Sequence, residues 1–168
     1  MARTIEVLER GRPIAFTFEA IMDYHGGGSP GGVAHAFKVM ERAWPVLDPQ
    51  APPERRELHI ETAFGGPGAR DAFEIVTRAV TEDRYVLEPE LARPERGRAV
   101  ERFVFRLRYR ERTATLAVRD GYVTEEFIDL ARKEGRTKDE ERHLDVLKRQ
   151  MAEKVMGSPA EAVYSCSG

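Results

Sequence analysis

One segment constrains this chain more than any other: Tyr24-His25-Gly26-Gly27-Gly28-Ser29-Pro30-Gly31-Gly32, in which five of nine residues are glycine. Glycine loses more backbone freedom on folding than any other residue and weakens helices and strands from within. The segment is therefore a loop, and its flanks must supply the order. Upstream, Phe18, Ile21 and Met22 stand at helical spacing, which predicts a helix over residues 16–25. Downstream, Val33, Phe37, Met40 and Trp44 form one apolar stripe, which predicts a second helix over 32–44, ended by Pro45.

The loop resembles two chemical motifs and fits neither. Gly27-Gly28-Ser29-Pro30-Gly31 matches G-x-S-x-G letter for letter. An esterase elbow, however, uses the backbone N–H of the residue after the nucleophile, and Pro30 has none. The elbow also follows a strand, whereas a helix precedes this loop. A phosphate-binding P-loop needs a preceding strand and a Gly-Lys-Ser/Thr ending, and both are missing. What remains is a backbone cradle: glycines that admit a close ligand, opening onto a helix N-terminus with free N–H groups.

The rest of the chain alternates strands and helices. Residues 4–8 are β-prone, 11–13 form a turn, and a proline-rich loop covers 48–54. A strand over 57–64 leads into a second glycine loop, Gly65-Gly66-Pro67-Gly68, and then a helix over 69–80. Strands follow at 84–89, 100–110 and 113–118; in the longest, Phe103, Phe105, Leu107 and Tyr109 alternate with Arg102, Arg106, Arg108 and Arg110. Two charged helices, 124–134 and 138–156, precede a small polar tail in which 162–164 is a further candidate strand. The order predicts an α+β domain with a mostly antiparallel or mixed four-stranded sheet, covered by helices and carrying a C-terminal helical extension. Residues 1–121 are the expected domain, with 122–168 packed onto it as helices and tail.

Composition narrows the classes. At 168 residues, 41% hydrophobic and 33% charged, the chain has globular proportions. Its 27 basic and 29 acidic residues leave no basic excess to recruit nucleic acid or an anionic membrane, and no apolar run is long enough to span one. A single cysteine, Cys166, excludes an internal disulfide framework and suits a reducing cytoplasm. Arginine outnumbers lysine 22 to 5 and asparagine is missing altogether, a pattern shared by heat-adapted proteins and GC-rich coding.

The glycine loops also carry a resemblance. Tyr24-His25-Gly26 and Ser29-Pro30-Gly31 resemble the F-H-G-H-x-C-P-G signature of the FmdE family, named for a component of formylmethanofuran dehydrogenase. Gly68-Ala69-Arg70-Asp71-Ala72 is similar to that family's C-x-x-D-A helix start, and Gly97-Arg98 to its Gly-Lys pair. The likeness covers residues 14–120 and implies the family's α+β fold, a metal site, and an accessory role to a molybdenum or tungsten enzyme. The departures fall on the ligands: Gly27 stands in place of the second histidine, and Ser29 and Gly68 in place of the cysteines. A tetrahedral zinc site takes about four donors. The resemblance thus implies the fold more than the metal, and a retained pocket with altered chemistry.

These readings give an expected binding site of His25, Gly26, Gly27, Gly28, Ser29, Gly68 and Asp71 between the two glycine loops. It would take a small or anionic ligand or, as the lesser alternative, zinc or another divalent metal. His25 is the leading metal donor, with His59, Asp71 and Cys166 (the last from a neighbouring copy of the chain) behind it. The competing expectation is a small hydrolase or lyase using His25 with Asp71 or Glu61 as acid–base groups. Blander roles compete throughout: His25 and Asp71 as helix caps, His35 as packing or surface, His143 as solvated, the arginine stripe as a solvent-facing sheet side paired with glutamates, and Cys166 as an inert thiol in a mobile tail. A homodimer is the expected assembly.

Overall fold

The computed structural model of the protein describes residues 3–168. The chain opens with a hairpin of β1 (Thr4–Glu9) and β2 (Arg12–Thr17), antiparallel and a sheet of its own. Its turn residues Arg10 and Gly11 both have positive φ, +51° and +82°, which matches the strand twist of tight hairpins. The Glu54 carboxylate accepts both turn N–H groups at 3.0 and 2.7 Å. The Trp44 indole N–H donates to the Glu6 carbonyl at 2.8 Å, fastening the hairpin to the body.

The helix expected over 16–25 is shorter. In α1 (Phe18–His25) the Thr17 hydroxyl accepts the Ala20 N–H at 3.1 Å and so caps the first turn, leaving Phe16 in β2. Gly26, at φ +90°, ends the helix by donating its N–H to the Met22 carbonyl. The following helix, α2 (Pro30–Leu47), begins earlier and runs through Pro45 rather than stopping there. Pro45 lies in the last turn with its ring exposed, so it removes one helical bond while Trp44 and Leu47 stay buried. Every residue from 33 to 40 is buried, which makes α2 the central helix of the molecule. Even Lys38 is enclosed, its Nζ 2.8 Å from Glu41.

The remaining elements are β3 (Leu58–Thr62), α3 (Pro67–Thr77), β4 (Tyr85–Leu87), β5 (Val104–Tyr109), β6 (Arg112–Val118), α4 (Glu125–Arg132), α5 (Lys138–Met156), α6 (Ala160–Val163) and β7 (Tyr164–Ser167). The fold is α+β. The main sheet has five strands, not four, in the order β4-β3-β5-β6-β7, and β3–β4 is its parallel pair. The fifth strand is the tail: Tyr164 pairs with Val118 and Cys166 with Leu116, so both alternate onto the core face. Tyr164 is completely buried and Cys166 half-buried, which replaces the mobile tail expected from the sequence.

Strand β5 alternates as its sequence predicts, with Phe105, Leu107 and Tyr109 buried and Arg106 and Arg108 on the other face. The core is continuous across the chain: Val123, Ile128, Met151, Val155, Val163 and Tyr164 join the same cluster as Phe37, Phe73 and Phe105. Residues 122–168 therefore close the domain that the earlier residues begin. His35, on α2, meets Tyr164 there, with its Nδ1 2.8 Å from the phenolic oxygen and its ring 4.9 Å from that of Phe103. Burial drives the His35 pKa down to about 3 and keeps the imidazole neutral. Among the described residues, no helix is long and apolar enough to cross a membrane.

Candidate functional site

Both glycine loops start a helix in the same way. Ser29-Pro30-Gly31-Gly32 opens α2 and Gly66-Pro67-Gly68-Ala69 opens α3, each with proline in the first helical turn and no side-chain cap. The two starts touch. A Cβ on Gly68 would lie 2.3 Å from the Ser29 carbonyl oxygen, and one on Gly32 would lie 3.0 Å from the Ala69 nitrogen. Only glycine lets the two backbones approach this closely. Two positive helix ends are thereby held side by side.

They form one wall of a cleft of about 510 Å³. Its deeper surface is apolar: Phe103, Ile128 and Leu144 are nearly buried, and the half-buried Phe64 ring stacks on Phe103 with centroids 4.2 Å apart. Five cationic side chains line it, Arg98, Arg102, Arg132, Arg136 and Lys148, and among the described residues no carboxylate does. Three of these are engaged. Arg98 meets Asp129 at 2.8 Å, Arg136 meets Glu141 at 2.8 Å and donates to three carbonyls at the end of α4, and the Lys148 ammonium donates to the Gly28 carbonyl. Arg102 and Arg132 are exposed and have no ion-pair partner among the described residues.

The residues expected to bind divide into two groups. Ser29 and Gly68 line the cleft, while Gly26, Gly27 and Gly28 form the exposed turn before it. His25 and Asp71 lie behind the loops and brace them. The His25 side chain is 6% exposed, and its Nδ1 lies 2.8 Å from the Asp71 carboxylate. Its Nε2 accepts the Ser29 backbone N–H at 2.9 Å, which makes Nε2 the unprotonated nitrogen and Nδ1–H the donor to Asp71. The expected His–Asp contact thus exists, yet the lone pair that a metal or a substrate proton would need is already occupied. His25 also does not cap the carbonyls of α1; Gly26 does that.

The other candidates are dispersed. Glu61 lies on the opposite face of the sheet from the core, in a two-pronged pair with Arg106 at 3.1 and 2.8 Å that holds its carboxyl below the usual range. His59 shares that face; partial burial, Arg108 and Arg84 depress its pKa. Cys166 sits in β7 with burial raising its thiol pKa, far from the nucleophilic state. Among the described residues, no three His, Cys, Asp or Glu side chains gather in a metal-binding cluster. The arginine stripe divides as well: Arg106 and Arg110 pair with Glu61 and Glu57, while Arg102 turns into the cleft.

The cleft residues of the C-terminal part escaped sequence reasoning, among them Phe127, Ile128, Arg132, Arg136 and Lys148, while Leu144 was legible as part of an inward stripe but not as cleft lining. Arg132 ends α4 and Arg136 lies in the loop before α5, but nothing local says that this corner faces the glycine loops. Compared with known proteins, the chain matches no protein-family model and no curated protein.

Proposed function

We propose that this protein binds a small anionic ligand in the cleft between its two glycine-rich loops. The observation that carries the reading is the charge of that cleft: two uncapped helix N-termini and five cationic side chains converge with no lining carboxylate among the described residues. Arg98 and Arg136 are balanced by carboxylates outside the cleft, but Arg102, Arg132 and Lys148 have no carboxylate partner among the described residues, and an anion relieves the repulsion among them and the two helix ends. The resemblance to the FmdE family supports the location, since the quoted motifs fall on these two loops. On that resemblance an accessory role to a molybdenum or tungsten enzyme is part of the proposal, as are a cytoplasmic, heat-adapted setting on composition and a homodimer.

The test is a titration followed by amide NMR. Inorganic phosphate should shift the N–H signals of Gly31, Gly32 and Gly68 and leave those of the β1–β2 hairpin unmoved. Shifts spread evenly over the surface, or none, would remove the reading.

A second reading, a small hydrolase or lyase, is favoured by the 2.8 Å His25–Asp71 contact. It requires His25 Nε2 to leave the Ser29 N–H during turnover. A His25→Ala variant that retains anion binding and lacks any hydrolytic rate of the parent would support it.

A further inference from the structure

The cleft's charge says that its occupant is anionic; its shape and depth say more. We infer that the ligand is an organic anion with a flat apolar body, of the aryl phosphate or aryl carboxylate class, entering body first with its charged group left at the rim. The inference rests on the anion-binding reading above and specifies its ligand.

Size is the first ground. A cleft of about 510 Å³ lies in the range, roughly 300–1,000 Å³, in which whole organic ligands are held, and a bare oxyanion would leave most of it to water. Layering is the second. The nearly buried side chains at the cleft are apolar, Phe103, Ile128 and Leu144, while the exposed ones include Arg102 and Arg132. A ligand whose charge lay against Phe103 and Ile128 would lose hydration to apolar side chains. One whose charge stays outside meets two arginines that have no other ion-pair partner among the described residues.

Flatness is the third ground. Phe64 stacks on the nearly buried Phe103 at 4.2 Å with an interplanar angle of 26°, so the half-buried Phe64 ring, backed by that stack, is the aromatic surface that a ligand in the cleft meets. Offset or edge contact with such a pair favours a planar ring system. Phe127 and Ile128 of α4 line the same cleft and add to its apolar surface.

Calorimetric titration with three probes separates the components: 1-naphthyl phosphate, 1-naphthol and inorganic phosphate. The expected result is that naphthyl phosphate binds at least tenfold more tightly than either fragment. An Arg102→Glu/Arg132→Glu variant, altered only at exposed side chains, should weaken it at least tenfold and leave naphthol unchanged. Phosphate binding as tightly as naphthyl phosphate overturns the apolar-body inference and leaves anion binding standing. Naphthol binding as tightly as naphthyl phosphate overturns the inferred charged group at the rim. No heat from any probe at millimolar concentration overturns the inferred ligand class, while the NMR titration decides the broader reading separately.

Discussion

His25 and Asp71 meet at 2.8 Å although 46 residues separate them, and the second ring nitrogen of His25 is held by the Ser29 N–H. The pair ties the two glycine loops together from behind. His25→Ala removes both bonds and leaves a part-buried N–H without its acceptor, at a cost of about 1–3 kcal/mol. Asp71→Asn keeps an acceptor for Nδ1–H and should cost less than His25→Ala. Urea midpoints of the three proteins check the order, and equal stabilities would show that the brace is idle.

The same geometry makes a statement about metals. With Nδ1 and Nε2 both engaged, His25 has no free lone pair to give. Mass-spectrometric metal content of protein purified without chelator should be far below one ion per chain and unaltered in His25→Ala. Stoichiometric zinc that disappears in the variant would mean that the loop rearranges to release the imidazole.

Glycine is required at some loop positions and merely present at others. Gly68→Ala would place a methyl 2.3 Å from a backbone oxygen that cannot move aside cheaply, and should destabilise by about 1–3 kcal/mol or more. Gly28→Ala meets nothing within 4 Å and should stay within about 0.5 kcal/mol of the parent. Thermal midpoints of the two variants, measured side by side, should differ by several degrees.

His35 gives the fold an acid limit. The unfolded chain takes up a proton as pH falls through 6.5, while the folded protein resists until about 3. Stability is therefore full above pH 6.5 and declines as pH falls, by about 1.4 kcal/mol per unit and about 5 kcal/mol over the whole window. Glu9, Glu61 and Glu82, all shifted below 4.5, add losses of the same sign at lower pH. Between pH 6.5 and 4.5 the decline belongs to His35 and, with the same sign, to the less buried His59. A His35→Leu/Tyr164→Phe double variant, in which neither partner is left orphaned, should have a markedly shallower stability profile across that interval, with only the His59 slope remaining.

The Glu61–Arg106 pair sits on the outer sheet face with side chains 28% and 40% exposed, so water screens it. A double-mutant cycle should give a coupling of about 1 kcal/mol or less, smaller in high salt. Glu61→Gln should leave anion binding at the cleft unchanged; weakened binding would place Glu61 in the site after all.

Much of the fold was legible because it is written in local periods. Phe105, Leu107 and Tyr109 alternate cleanly, and the stripe of Leu144, Leu147, Met151 and Val155 marked α5. Strand β2 was not legible: Phe16 and Phe18 mimic a helical start, and only the hydroxyl of Thr17 decides where strand gives way to helix. The tail strand expected at 162–164 lies too early: Ala162 and Val163 close the short helix α6, and of the three only Tyr164 belongs to β7. Ser165, Cys166 and Ser167 have weak β-propensity, and the strand depends on Tyr164 finding a buried site 129 residues away beside His35. The glycine loops pointed to the cleft, but its cations come from three other segments that only tertiary packing brings together. Of the expected ligand residues, Ser29 and Gly68 reach the cleft, while His25 and Asp71 serve the scaffold.

Strand β7 also bears on how the molecule assembles. Its anchor joins residues 129 apart, and closing so large a loop costs entropy before any contact repays it. Its docking is therefore a late folding event. Until then β6 is an unprotected sheet edge, with the N–H and C=O groups of Thr115 to Val118 free to pair with any passing strand, including the same segment of another chain. Refolding yield should then fall as protein concentration rises, while in the finished fold β7 occupies that side of β6 and leaves only its own short strand of four residues at the sheet edge.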